Sequence, residues 1–98
     1  MQITIIPLGT ATPSVGEYVA DVIRFLKDRG IPHTLTDMGT TIEGESEELL
    51  RLAARIHGLS FHRGAERVVT QIVLDERRDR QVHLSDKYQS VLRQIKDA

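Results

Sequence analysis

Apolar residues recur along this chain with two different periods, and the periods alternate. Residues 2–8 (QITIIPL) are a β-branched run closed by Pro7 and Gly9, which predicts a strand. In SVGEYVADVIRFLKDRG the spacing changes: Val15, Val19, Val22, Ile23 and Leu26 fall on one helical face. Ser14 and Glu17 have the S-x-x-E spacing of a capping box, and Gly30 followed by Pro32 ends the helix. Two short strand-like pieces follow, 33–37 (HTLTD) and 40–45 (TTIEGE), joined by Met38 and Gly39 as a hairpin connection. Ser46 is placed to cap a second helix, with Glu47 and Glu48 favouring its positive end. Leu49, Leu52, Ala53 and Ile56 supply its buried stripe, and Gly58 or Gly64 stops it. Residues 67–75 (RVVTQIVLD) alternate as a strand: Val68, Thr70, Ile72 and Leu74 on one side, Val69, Gln71 and Val73 on the other. After the polar turn ERRDR, Tyr88, Val91, Leu92 and Ile95 return to helical spacing.

The order is βαββαβ plus a terminal helix, which predicts an α+β, ferredoxin-like fold in a single domain over residues 1–98. Two crossovers of the same hand put both long helices on one face of a four-stranded antiparallel sheet. A sheet with one wet face alternates cleanly between apolar and polar. The first and last strands in sequence do not: Ile3, Ile5, Ile6 and Leu8, and Val68, Val69, Ile72 and Val73, are apolar in both phases. The second face is therefore expected to be covered by another subunit, by the terminal helix, or by both, and a homo-oligomer is expected.

Composition narrows the function. With thirteen basic and fourteen acidic side chains the net charge is -1, so there is no bulk attraction to nucleic acid or to an anionic membrane. The absence of cysteine excludes disulfides, thiolate metal sites and a cysteine nucleophile, and fits a cytoplasmic protein. The N-terminal run has no basic region before it and is broken by Pro7 and Gly9, so it reads as a strand rather than a signal peptide. No apolar run approaches the roughly 20 residues of a membrane span. The four aromatics, Tyr18, Phe25, Phe61 and Tyr88, all fall outside the strands, which argues against an RNA-stacking sheet. His57 and His62 are five apart, a poor spacing for a shared metal, and no metal or cofactor is expected. Neither a nucleophile elbow nor a P-loop is present.

The unusual stretch is GTTIEGE, Gly39 to Glu45. Two adjacent hydroxyls lead into a carboxylate, Glu43, set between glycines. On spacing alone Glu43 reads as a solvated strand residue, as a binding group, or as an isolated acid in search of a catalytic partner. Tyr18, one position from the core stripe of its helix, is either a core-edge ring or a platform for a flat or cationic ligand. Arg67 and the ERRDR run are solvated surface or an anion contact.

The segments IIPLGT, SVGEYVADV, MGTTIEGE, ERVVTQIVLDERRD and KYQSVLRQI, in this order, resemble the small thiamine-binding family (YkoF-like proteins) over almost the whole chain. The resemblance implies a ferredoxin-like subunit assembled into dimers and tetramers, a dimer of dimers. It also implies binding of thiamine or its pyrimidine portion without catalysis. On that basis Glu43 is expected to read the amine or the cation through a charge-assisted bond, with Thr40 and Thr41 as hydrogen-bonding partners. Local chemistry adds Tyr18 as a stacking group and Ser14 as a polar contact at the helix start. Two readings from other classes stand beside it: an oligomeric structural or regulatory module without a ligand, and an enzyme acting on a small heterocycle through Glu43.

Overall fold

The computed structural model describes residues 1–10 and 15–96. Seven elements run in order: β1 (Gln2–Leu8), α1 (Gly16–Asp28), β2 (His33–Thr36), β3 (Gly39–Ile42), α2 (Ser46–His62), β4 (Arg67–Val73) and α3 (Asp86–Lys96). The strands form one antiparallel sheet in the order β2-β3-β1-β4. This is the ferredoxin-like arrangement that the pattern of periods predicts.

Register assigns every strand residue to a face. Ile3 pairs with Thr40 on one side and Ile72 on the other, and Ile5 pairs with Thr70. These residues point to the helix layer, where Ile3, Ile42, Val22, Leu26, Leu49, Ala53 and Ile56 make the core. The apolar spacing of α1 and α2 is thus used as the sequence demands: Leu26 and Ile56 are fully buried. Gln2, Thr4, Ile6 and Leu8 of β1, opposite Val73, Gln71, Val69 and Arg67, point the other way, and none of them is buried.

Both core helices end in the same motif. Gly30 takes a positive φ of 63°, its N–H bonds Lys27 O, and the Ile31 N–H bonds Leu26 O. At the end of α2, Gly64 (φ 108°) bonds Phe61 O, and Ala65 bonds Ser60 O. These paired bonds satisfy the last free carbonyls of each helix, and only glycine takes the left-handed position cheaply.

Several expected boundaries move. Ser14 lies outside the described residues. The residue preceding α1 is Val15, with no side-chain cap bond, and Glu17 instead reaches Arg63 Nη1 at 3.1 Å. Glu45 precedes α2, also without a side-chain cap bond, and Ser46 is its first residue. Gly58 sits inside α2, so the stop is at Gly64. The hairpin turn is Asp37–Met38, one residue earlier than the spacing implies. Strand β3 ends at Ile42, so Glu43 is not in its middle but just past its end. The ERRDR turn pairs internally, with Arg77 on Asp79 at 2.6 Å and Arg78 on Glu76 at 3.0 Å, and the Ser46 hydroxyl also donates to Glu76. Among the described residues no helix is long and apolar enough to cross a membrane.

Candidate functional site

The β2–β3 turn is held down by three hydrogen bonds, two within the turn and one from β1. The Thr4 hydroxyl donates to Met38 O at 3.0 Å, the Thr36 hydroxyl donates to Gly39 O at 3.2 Å, and the Met38 N–H donates to Thr36 Oγ1 at 3.2 Å. This fixes the turn over the edge of the core and leaves a gap between it and α1. The gap is a cavity of about 130 Å3. Ile3, Ile5 and Thr40 supply its sheet wall, Val15, Val19 and Val22 its helix wall, and the turn from Leu35 to Gly39 its rim. The walls are apolar because the same spacing that builds the core also faces the gap. Its polar side chains are few: the Thr40 hydroxyl on the helix side of the sheet, and the carboxylate of Asp37 at the exposed rim.

Of the residues singled out from the sequence, Thr40 is the one this cavity contains, and it is only 4% exposed. Thr41 is its neighbour in an extended strand and points to the opposite face, where it pairs with Gln2 and Thr34. Glu43 lies past the strand end and is engaged by His83, whose Nδ1 is 2.5 Å from Glu43 Oε1. Tyr18 is half-buried beside the Arg63 guanidinium, away from the cavity. Ser14 falls outside the described residues. The structure therefore distributes the four described positions over four places.

Sequence reasoning missed Asp37, Val15, Val19, Leu35 and Met38 as lining. Asp37 carries a signal in the sequence, as an acidic residue in a hairpin turn, but that signal is equally one of turn chemistry. The others read as core or turn.

The strongest electrostatic feature is elsewhere. Arg63, which follows α2, bonds Asp21 of α1 at 2.6 and 2.9 Å, and Arg24 adds a third contact at 2.8 Å. The Arg63 bonds, aided by Arg24, hold the Asp21 carboxyl down to about 2. Asp21 in turn raises the Arg63 guanidinium above its ordinary value. This network ties the two helices together across the outer surface and is structural in geometry. Among the described residues no three His, Asp or Glu side chains converge as a metal site.

Comparison with known proteins follows the fold closely. A family profile described as "Thiamine-binding protein" matches residues 1–92. UPF0045 protein YqgV of Bacillus subtilis is 45% identical over 94 residues, covering 92% of this chain and 90% of its own. The crystal structure of the hypothetical protein MJ1052 from Methanocaldococcus jannaschii superposes with a TM-score of 0.79 at 30% identity, covering 92% of this chain and 91% of that one. A Thermotoga maritima structure labelled for thiamine biosynthesis or salvage has a TM-score of 0.75 at 20% identity, with 92% and 94% coverage, and shares the fold.

Proposed function

The chain belongs to the thiamine-binding protein family, and from that premise we propose that it binds thiamine, or its aminopyrimidine part, without catalysis. The cavity between α1 and the β2–β3 turn is the site in this reading. The observation that carries it is size matched to polarity. A dry cavity of about 150 Å3 accepts a single benzene ring, whereas a whole drug-sized ligand needs roughly 300 Å3 or more. At about 130 Å3 the gap suits one six-membered ring and no more. The pyrimidine enters between Val19 and Ile5, with the Thr40 hydroxyl as its buried polar partner. The cationic thiazolium stays at the rim, where Asp37 offers the opposite charge.

The non-catalytic part of the reading is supported by the lining. Asp37 is its one ionisable side chain among the described residues, and general acid–base chemistry on a heterocycle calls for more than one positioned group. In this reading the protein works in the cytoplasm as a homo-oligomer, a dimer of dimers, with thiamine as ligand and no further cofactor, nucleic acid or membrane partner. Support for assembly is the sheet face that α1 and α2 leave uncovered. That face also favours the second reading, an interaction module without a ligand.

Calorimetric titration with thiamine tests the assignment. Thr40→Val removes one buried hydroxyl, worth about a 3- to 10-fold loss of affinity. Asp37→Asn removes a charge-assisted partner, worth about 10-fold or more. Glu43→Gln is expected to stay within about twofold of wild type. No heat and no thermal stabilisation at millimolar thiamine overturns the binder. Loss of binding in Glu43→Gln alone moves the site to the strand end, and thiamine turnover abolished by Asp37→Asn makes the protein an enzyme.

A further inference from the structure

One row of side chains crosses the sheet on its helix side. Ile72 of β4 pairs with Ile3 of β1, Ile3 with Thr40 of β3, and Thr40 with Leu35 of β2. Residues directly opposite each other in an antiparallel sheet share a face. Leu35 therefore stands on the same side as Thr40, one strand further out. Burial falls away along the row: Ile3 is 2% exposed, Thr40 4% and Leu35 51%. The helix wall opposite has the same gradient. Val22 and Val19 of α1 and Val15 just before it share one helical face, and exposure rises from 3% at Val22 to 39% at Val15. Both walls thus open to an apolar lip, Leu35 from the strand side and Val15 from the helix side, and both residues line the cavity.

A single exposed leucine is ordinary on a protein surface. Register sets this one apart. Strand β2 is at the edge of the sheet, so no strand lies beyond Leu35. His33, the other β2 residue nearby on this face, is turned back, with its Nδ1–H donating to Ile31 O at 2.8 Å. Neighbouring strands are about 4.8 Å apart. Two rings joined by one methylene have centres about 5 Å apart, from bond lengths of about 1.5 Å. A ligand with one ring against Thr40 therefore sets a second, methylene-linked ring against Leu35.

We propose that Leu35, with Val15 opposite, reads the second ring of the ligand and so sets the preference for whole thiamine over its aminopyrimidine part. The proposal deepens the binding reading above and rests on it. The thiazolium suits this lip because it is a flat ring carrying carbon, sulfur and methyl groups around a delocalised charge. Leu35 and Val15 cover its faces, and the carboxylate of Asp37, two residues on from Leu35, answers its charge. The lone pyrimidine fills the inner cavity of about 130 Å3 and leaves the lip exposed. Covering on the order of 50 Å2 of Leu35 is worth roughly 5- to 10-fold in affinity.

Calorimetric titration with two ligands tests this: thiamine, and the hydroxymethyl aminopyrimidine that remains when the thiazolium is removed. The quantity read is the ratio of their affinities. Leu35→Ala is expected to lower that ratio roughly 5- to 10-fold, and Val15→Ala about 3-fold. Leu35→Met keeps the apolar reach and is expected to hold the ratio within about twofold of wild type. Thr40→Val weakens both ligands alike and leaves the ratio where it was. A merely structural role for Leu35 does not move the ratio, because a loosened cavity weakens both ligands together. Leu35 and Val15 are exposed, so their variants keep the fold, which circular dichroism checks. If the wild-type protein binds neither ligand, the binding reading fails and this inference with it. If it binds thiamine but Leu35→Ala and Val15→Ala leave the ratio unmoved, the inference alone is overturned. A wild-type protein that holds the lone pyrimidine as tightly as thiamine overturns it likewise.

Discussion

Gly39→Ala tests how tightly the turn beside the cavity is specified. Gly39 has a φ of 148°, a backbone conformation that side chains rarely adopt. A Cβ built there meets Thr4 Oγ1 at 2.6 Å, Ile3 O at 3.0 Å and Gln2 Nε2 at 3.3 Å. The first contact is too close for any real Cβ, and Thr4 is not free to give way: its hydroxyl bonds Met38 O, the bond that pins the turn. Rotating it away forfeits about 1 kcal/mol. Ile3 O is backbone of β1 beside β3, so it yields little. The dihedral itself adds about 1–3 kcal/mol of strain. The total is about 3 kcal/mol, a large part of the 5–15 kcal/mol by which a domain of this size is stable. At roughly 4–8 °C per kcal/mol, the melting temperature falls by about 12–24 °C. Urea titration with an unchanged slope gives the free energy directly.

A double-mutant cycle assigns the cause. Thr4→Ala alone loses the bond to Met38 O and costs about 1 kcal/mol. In that background Gly39→Ala is milder by about 1 kcal/mol, because the hydroxyl it collides with is gone, but the strain and the Ile3 O contact persist. A cost below about 0.5 kcal/mol for Gly39→Ala, or no coupling to Thr4, refutes the reasoning.

Three further outcomes are expected. The Asp21 carboxyl lies below its ordinary 3.8, at about 2, so its stabilising effect is complete above pH 4 and disappears as the pH falls towards 2. Asp21→Asn therefore costs about 1 kcal/mol near neutral pH, allowing for solvent around the pair, and the gap to wild type closes by pH 2 in urea titrations. Ser60 Oγ is buried with no hydrogen-bond partner among the described residues, so Ser60→Ala is expected to raise stability by about 1 kcal/mol in the same assay. His83→Ala removes the anchor of the segment before α3. Amide exchange should speed up over residues 83–90 with the core unchanged, and equal protection in the variant would show that the contact anchors nothing.

Helices α1 and α2 were legible because the period of each serves the same core, whereas the equally regular period of α3 serves none. Val22 and Leu26, Leu49 and Ile56 are apolar at helical spacing, and the structure buries all four. Element ends were less legible: neither α1 nor α2 has a side-chain cap bond at its start, and two glycines compete for the end of α2. Gly58 and Gly64 look alike as letters, but only Gly64 is followed by a residue, Ala65, that packs inward and closes the paired bonds.

The candidate site divides along a rule the sequence already contains. Neighbouring strand residues face opposite ways, so Thr40 and Thr41 were never able to share one pocket on a single sheet. Once Ile42 is fixed in the core, Thr40 must face the helices, while Thr41 falls on the uncovered side, and Glu43 is carried past the strand end to His83. What the alternation does not contain is the distance from the β2–β3 turn to α1. That distance depends on three bonds through Thr4, Thr36 and Met38 and on a glycine that no side chain can replace without collision. The cavity, and with it the role of Asp37, is a property of how the turn is pinned. GTTIEGE therefore contributes one end of itself to each side of the molecule. Gly39 and Thr40 belong to the cavity between turn and helix, and Glu43 belongs to the anchor from which α3 departs.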